Sequence, residues 1–221
     1  MTDEYPTVPT DDLAGWDERV RSESEVFRTP TAAIIGRTLL YDDAELREAL
    51  ASAGVDHLLD GGGESGDRMI DTGEDGGFWR FFFATALSFR PPLAPGIGPA
   101  SMRPTVVSEA RRAFTDDLEA RGFENVERGR SQRVRTDTRD RASLVKVTAT
   151  YPFPEDAPVE TLDVEGWLAV WDVSGQFRIA GGAYPVRGLG GLLADLPAAE
   201  RPDTDADGFR NELLDLIRAV E

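Results

Sequence analysis

The chain has no cysteine, one histidine and one lysine in 221 residues. Without cysteine there are no disulfides, cysteine-ligated zinc sites, iron–sulfur clusters, thiolate nucleophiles or c-type haem attachments. The lone histidine, His57, excludes two-histidine zinc motifs such as H-E-x-x-H and leaves Ser-His-Asp catalysis a single arrangement. No G-x-S-x-G elbow is present to offer it a serine. His57 follows Gly54 and precedes Leu58 and Leu59, so it reads as a histidine near a helix end, stabilised by the helix dipole. Long apolar runs are missing as well. The most apolar stretch, residues 78–89, is 12 residues long and broken by Arg80, whereas a membrane-spanning helix needs about 20. Residues 1–6 are acidic and lack the basic end and apolar run of a signal peptide, so the expected location is the cytoplasm.

Positive charge is scarce: 24 Arg and Lys face 41 Asp and Glu, for a net charge of −17 and a pI near 4.5. Lys146 is the only lysine beside 23 arginines, and Asp outnumbers Glu by 23 to 18. A cysteine-free, Asp-rich chain that uses Arg for Lys resembles the cytoplasmic proteins of halophilic archaea, and the resemblance implies a conserved haloarchaeal protein. The physics agrees with it. Uncompensated negative charge favours expansion at ordinary salt, and molar salt shortens the screening length to about 3 Å. Arginine also pairs with carboxylates in a bidentate fork that lysine cannot form. The alternative is an acidic protein of a GC-rich mesophile, where Arg also replaces Lys. Either way, such a surface argues against general nucleic-acid binding and against anionic membranes.

Hydrophobic patterning predicts one α+β domain over 1–221, an antiparallel sheet with a central aromatic strand packed by amphipathic helices. Residues 1–11, with Pro6 and Pro9, read as an extended arm. A strand over 32–41 follows a partner near 25–29. Asp42 then caps a short helix, with Glu45 completing a capping box and Gly54 ending it. Residues 60–77 are Gly- and Asp-rich and read as a long surface loop. The run 78–89 is apolar on both faces, which places it centrally. Pro104 opens a helix to about Arg121 with Val107, Ala110, Phe114 and Leu118 on one face, and Gly122 stops it. Two hairpins follow, 123–136 with 142–153 and 162–173 with 176–184, then a helical turn near 188–197 and a terminal helix from about Asp207. This helix–hairpin–hairpin–helix tail is similar in outline to PsbP-like folds. The 78–89 aromatics, with Trp167 and Trp171, read as core rather than as a ligand pocket.

Two constellations carry charge chemistry. Residues 203–208, D-T-D-A-D-G, match the opening of a calcium loop, which makes Asp203, Asp205 and Asp207 candidate ligands for a divalent cation. The twelfth position, where the motif wants a bidentate Glu, is Leu214. The favoured reading is therefore a helix cap at Asp207, with no cofactor required. The second constellation inverts the local charge. Residues 121–146 carry +4, against −21 for the rest of the chain. Here Arg130, Arg133, Arg135, Arg139 and Arg141 are candidate ligands for a small anion or an acidic protein, with Arg133 and Arg135 on one strand face. Against this stands a solvated face whose arginines pair with carboxylates of the same molecule. The glycine clusters lack phosphate-loop and dinucleotide endings: 61–66 has no Gly-Lys-Ser/Thr, and 188–191 reads as a turn. Gly181-Gly182 marks a bulge or close packing.

With no catalytic residue assigned, the reading is a non-enzymatic accessory or ligand-binding protein. The alternative is a carboxylate-metal-dependent hydrolase, which needs several carboxylates converging in one cleft. An assembly component using its sheet edge is a third reading.

Overall fold

The structure is a computed structural model that describes residues 4–28, 32–59, 77–92 and 99–221. The segment 60–76 of the expected Gly-rich loop, with its 61–66 glycine cluster, lies outside these. Strand β1 (Trp16–Arg28) pairs antiparallel with β2 (Ala33–Asp43) along its whole length, with irregularities at 18–20 and 25–27. β1 begins well before the expected partner strand. Its outer positions carry Glu18, Arg21, Glu23 and Arg28, charges that blunt an open sheet edge.

Helix α1 (Ala44–Ser52) follows at once. Its cap is Asp43, whose side chain accepts from the Leu46 N–H at 2.9 Å, not Asp42. Glu45 therefore falls one position short of a capping box. Asp42 is instead buried between Arg19 and Arg47. Leu46, Ala49 and Leu50 face the core, and Gly54, at φ +71°, ends the helix as expected. His57 lies in the short 3-10 turn Asp56–Leu59 beyond it, with its side chain exposed.

Strand β3 (Phe81–Arg90) pairs with β2 on one side and with the strand Gln176–Arg187 on the other. Phe82 and Ala84 enter one core layer, and Phe81, Phe83 and Leu87 the other. That accounts for an apolar run with no alternation. Thr85, the exception within it, is fully buried and hydrogen-bonds Thr38 across the sheet at 2.9 Å.

Helix α2 (Pro99–Ala120) starts five residues earlier than expected and keeps Pro104 inside its first turns. Proline there forgoes only the bond its N–H would make to the Ala100 carbonyl. The buried stripe is Val106, Ala110, Phe114 and Leu118, while Val107 is only half-buried. Uniform four-residue spacing keeps that stripe on one line. Gly122, at φ +89°, donates to the Glu119 carbonyl and Phe123 to that of Leu118, which terminates the helix.

The first expected hairpin is split. Strands β4 (Glu124–Arg128) and β5 (Gln132–Arg135) both pair with β6 (Arg141–Pro152), with the break at 129–131. β7 (Thr161–Val173) and β8 (Gln176–Arg187) form the second hairpin around Ser174 and Gly175, both at positive φ, as a two-residue turn requires. On β8, Gly181 and Gly182 are sites of close packing rather than a bulge: a Cβ on Gly182 would lie 2.1 Å from the Phe81 carbonyl. A turn of helix, α3 (Leu189–Leu192), leads to α4 (Ala206–Ala219), which buries Phe209, Leu213, Leu216 and Ile217.

The sheet is antiparallel throughout, in the order β1-β2-β3-β8-β7-β6-β4, with β5 beside β6. α2 covers one face and α1, α3 and α4 the other, so the fold is α+β with two core layers. The N-terminal arm is tied down: Thr7 and Glu221 exchange two backbone hydrogen bonds, at 3.2 and 2.9 Å. No helix among the described residues is long and apolar enough to cross a membrane.

Candidate functional site

Antiparallel register sets the arginine geometry. Arg133 lies opposite Ser143, and Arg135 opposite Arg141. Directly opposed residues share a sheet face, and here it is the α2 face, because Arg111 of α2 donates to the Ser143 hydroxyl at 2.9 Å. Arg128 joins it opposite Val147, which is buried in the same layer. Arg130 is exposed in the break between β4 and β5.

The β5–β6 turn is closed by hydrogen bonds. Thr136 bonds the Asp140 carbonyl through its N–H, and its hydroxyl accepts from the Asp140 N–H. Asp137 donates to the carbonyl of Arg218 at the end of α4. Arg139 occupies the φ +70° position of this turn. From α2, Arg103 reaches the Arg141 carbonyl at 3.0 Å and Asp172 at 2.7 Å. Arg103, Arg135, Arg139 and Arg141 thus border an open cleft of about 430 Å3, together with Asp140 and Asp172.

Pairing within the molecule does not neutralise this surface. Among the described residues Arg128, Arg130, Arg133, Arg139 and Arg141 make no ion pair, and Arg135 donates only to the Arg139 carbonyl. The face is solvated, but the alternative in which these arginines pair with carboxylates of the same molecule is not what the structure shows for these five. Asp140 is held by Thr138, and Asp172 by Arg103. Burial, then the charge of Arg128, pushes the Arg111 guanidinium below its ordinary value. Its Nε is buried with no hydrogen-bond partner.

The acidic loop is arranged differently. Asp205, not Asp207, caps α4, accepting from the Gly208 N–H at 2.9 Å. Asp203 accepts from the Asp205 N–H at 3.0 Å, and Asp207 pairs with Arg210 at 3.1 Å. Each carboxylate is thus engaged separately, and among the described residues no group of three or more His, Asp or Glu side chains is gathered as a metal site would need. Beside this loop lies a residue the sequence presented only as an interruption. Arg80, 7% exposed, bridges Asp43 at the cap of α1 and Glu212 on α4, both at 2.5 Å. Its guanidinium lies 4.2 Å from the Phe209 ring centroid and 4.8 Å from that of Trp16. It serves as a clamp between two helices.

Sequence reasoning also counted Lys146 merely as one charge of the positive run. Lys146 in fact faces away from the arginines, in a cleft on the α4 side with Glu165 and Tyr184. Only the β6–β7–β8 pairing brings these three together, so no local motif reveals them.

Comparison with curated proteins and with solved structures finds no match to the chain. A family model does match, over residues 5–221, and the protein belongs to that family, a domain of unknown function, DUF6517.

Proposed function

We propose that the protein is a non-enzymatic ligand-binding or accessory protein of halophile type, working in the cytoplasm, and that its arginine-lined cleft takes a small anionic ligand. The observation that carries this is a cluster of arginines without carboxylate partners in a chain of net charge −17. Carboxylates are plentiful, and pairing would relieve the repulsion among these cations. A phosphoryl or carboxylate group from outside supplies the missing acceptors, which arginine meets with two parallel N–H bonds. High salt is compatible with such a site. Screening at molar salt removes long-range attraction but leaves contacts within about 3 Å. Specificity then comes from the fork geometry of Arg135 at the end of β5 and Arg139 in a turn closed by the Thr136–Asp140 hydrogen bonds.

Titration calorimetry with inorganic pyrophosphate at about 1 M KCl tests the site. A saturable heat is expected, and it should vanish in an Arg135→Gln/Arg139→Gln variant. No heat in the intact protein, or the same heat in the variant, overturns the reading; a heat given only by acidic peptides reassigns the cleft to a protein partner. The halophile component has its own test. The thermal midpoint should rise steeply with KCl as the self-repulsion is screened, and a flat midpoint up to about 3 M KCl contradicts it.

A further inference from the structure

The face of the sheet opposite the arginine cleft carries a second cleft, of about 460 Å3, bounded by β6, β7, β8 and the start of α4. Trp167, Tyr184, Val186 and Leu214 supply apolar wall, and Lys146, Glu165 and Arg210 the reactive groups. Register sets Lys146 opposite Trp167 and Glu165 opposite Tyr184, on neighbouring positions of three adjacent strands. The Lys146 ammonium bonds Glu165 Oε1, and the Tyr184 hydroxyl donates to Glu165 Oε2 at 3.0 Å. The Trp167 indole N–H donates to the same hydroxyl at 3.3 Å, so every member of the chain is oriented by the next.

Three independent features meet in this cleft. It holds the chain's single lysine. Val186, 38% exposed, is the one exposed large apolar side chain among the described residues. Tyr184 is 1% exposed, yet its hydroxyl serves a carboxylate in an accessible cleft. Burial raises the Tyr184 phenol well above its ordinary value, so it remains a donor.

We infer that Lys146 is a reversible carbonyl-capturing amine, forming an imine with a small 2-oxo acid whose carboxylate Arg210 receives. Apart from His57, whose imidazole cannot form a stable imine, every other basic side chain in the protein is an arginine, and guanidinium does not deprotonate in proteins. Among side chains, amine nucleophile chemistry is therefore available at this one position. The step balances without oxidant or reductant. The Lys146 ammonium gives a proton to Glu165, and the freed amine attacks the carbonyl carbon. A C–N bond forms as the carbonyl π bond opens, and the oxygen takes up the proton that the attacking nitrogen sheds. The carbinolamine then loses that oxygen as water, protonated by Glu165, leaving an iminium. One ammonium and one carbonyl go in, and one iminium and one water come out. Tyr184 is a positioning residue that holds the Glu165 carboxylate between amine and substrate. The apolar walls limit water around the imine. Arg210, paired only with the exposed Asp207 at 3.1 Å, can exchange that partner for the substrate's carboxylate.

The test is trapping with pyruvate and cyanoborohydride on the full chain at molar KCl, read by intact mass and peptide mapping. Lys146 and the terminal amine are the only amino groups, so the adduct is assigned without ambiguity. One adduct at Lys146 is expected, forming at least about tenfold faster than on N-acetyl-lysine amide. Glu165→Gln should slow it roughly a hundredfold, the size of a lost general acid–base group. Tyr184→Phe should slow it less, with an unchanged circular dichroism spectrum. Arg210→Gln should raise the pyruvate concentration for half-maximal labelling and leave labelling by acetaldehyde unchanged. Labelling of the intact protein only at the terminal amine, or at Lys146 no faster than the free amide, overturns the inference even if the variants do not fold. A rate indifferent to Glu165→Gln in a folded variant does the same.

Discussion

At the β1–β2–β3 end of the sheet each described arginine meets a carboxylate. Arg19 and Arg47 converge on Asp42, Arg37 and Arg90 on Glu23, and Arg80 joins Asp43 to Glu212. Arg21 and Arg28 pair with Glu18 and Glu25 along β1. At the β4–β5–β6 end, Arg128, Arg130, Arg133, Arg139 and Arg141 have no such partner among the described residues. The two ends also differ in depth. The side chains of Arg37 and Arg80 are 6% and 7% exposed, whereas Arg128, Arg130, Arg133, Arg135, Arg139 and Arg141 lie on the surface or at its margin. The net charge of −17 therefore conceals an end whose arginines are all paired and one where they are not. Arginine is used as structure at the first and left available at the second.

The largest expected effect lies at the end where the arginines are paired. Arg80→Ala strips a buried guanidinium from between Asp43 and Glu212 and from the faces of Trp16 and Phe209. Two carboxylates are then left facing each other beside the α1 cap. A loss of about 3 kcal/mol is expected, the low end for breaking a buried pair because Glu212 is partly exposed. Chemical denaturation at fixed molar KCl measures it. A change under about 0.5 kcal/mol, the range of ordinary surface substitutions, would erase the distinction between the two ends.

How much of this could be read from the sequence depended on how local the signal was. The two-faced apolar run of β3, the Ser174-Gly175 turn and the apolar stripe of α4 are set by neighbouring residues, and each was legible. β1 was shortened because its sequence, WDERVRSESEVFR, lies on an edge and alternates charge with little apolar period. The start of α2 was hidden because Pro104 imitates a first helical position. Both helix caps were displaced, by one residue at Asp43 and by two at Asp205. Asp-rich runs offer several competent caps, and only the backbone geometry chooses one. The arginine face was legible as a charge inversion, because hairpin register needs only nearby residues. That Asp172 is spent on Arg103 is a tertiary fact, whereas Asp140 is held within its own turn by Thr138. The Lys146 cleft was illegible for the same reason, since it needs three strands in register.

The acidic side of the comparison can be sharpened at α4. Asp205 satisfies a backbone N–H, whereas Asp207 only pairs with Arg210 near the surface. Asp205→Ala should cost about 0.5–2 kcal/mol as a lost N-cap. Asp207→Ala should cost less than about 0.5 kcal/mol, as an exposed ion pair does. Paired thermal melts of the two variants decide it. Equal losses would mean that the first-turn charge, rather than the cap bond, holds the helix end.

The smallest expected effect has the most diagnostic sign. Arg128→Gln removes a cation that has no carboxylate partner and acts on Arg111, the half-buried arginine whose pKa it helps to lower. Locally this relieves repulsion. Globally it moves the chain one unit further from neutrality, which favours expansion. At about 2 M KCl the screening length is only a few ångströms, so the diffuse term fades while the close one persists. The expected outcome is no loss, or a gain of less than about 0.5 kcal/mol, in melts at high salt. At low salt the diffuse term grows and the same variant should become the less stable form. A loss at high salt comparable with that of Arg80→Ala would mean that Arg128 is held by a partner in the folded protein, and the β4–β5–β6 end would then have to be read as compensated too.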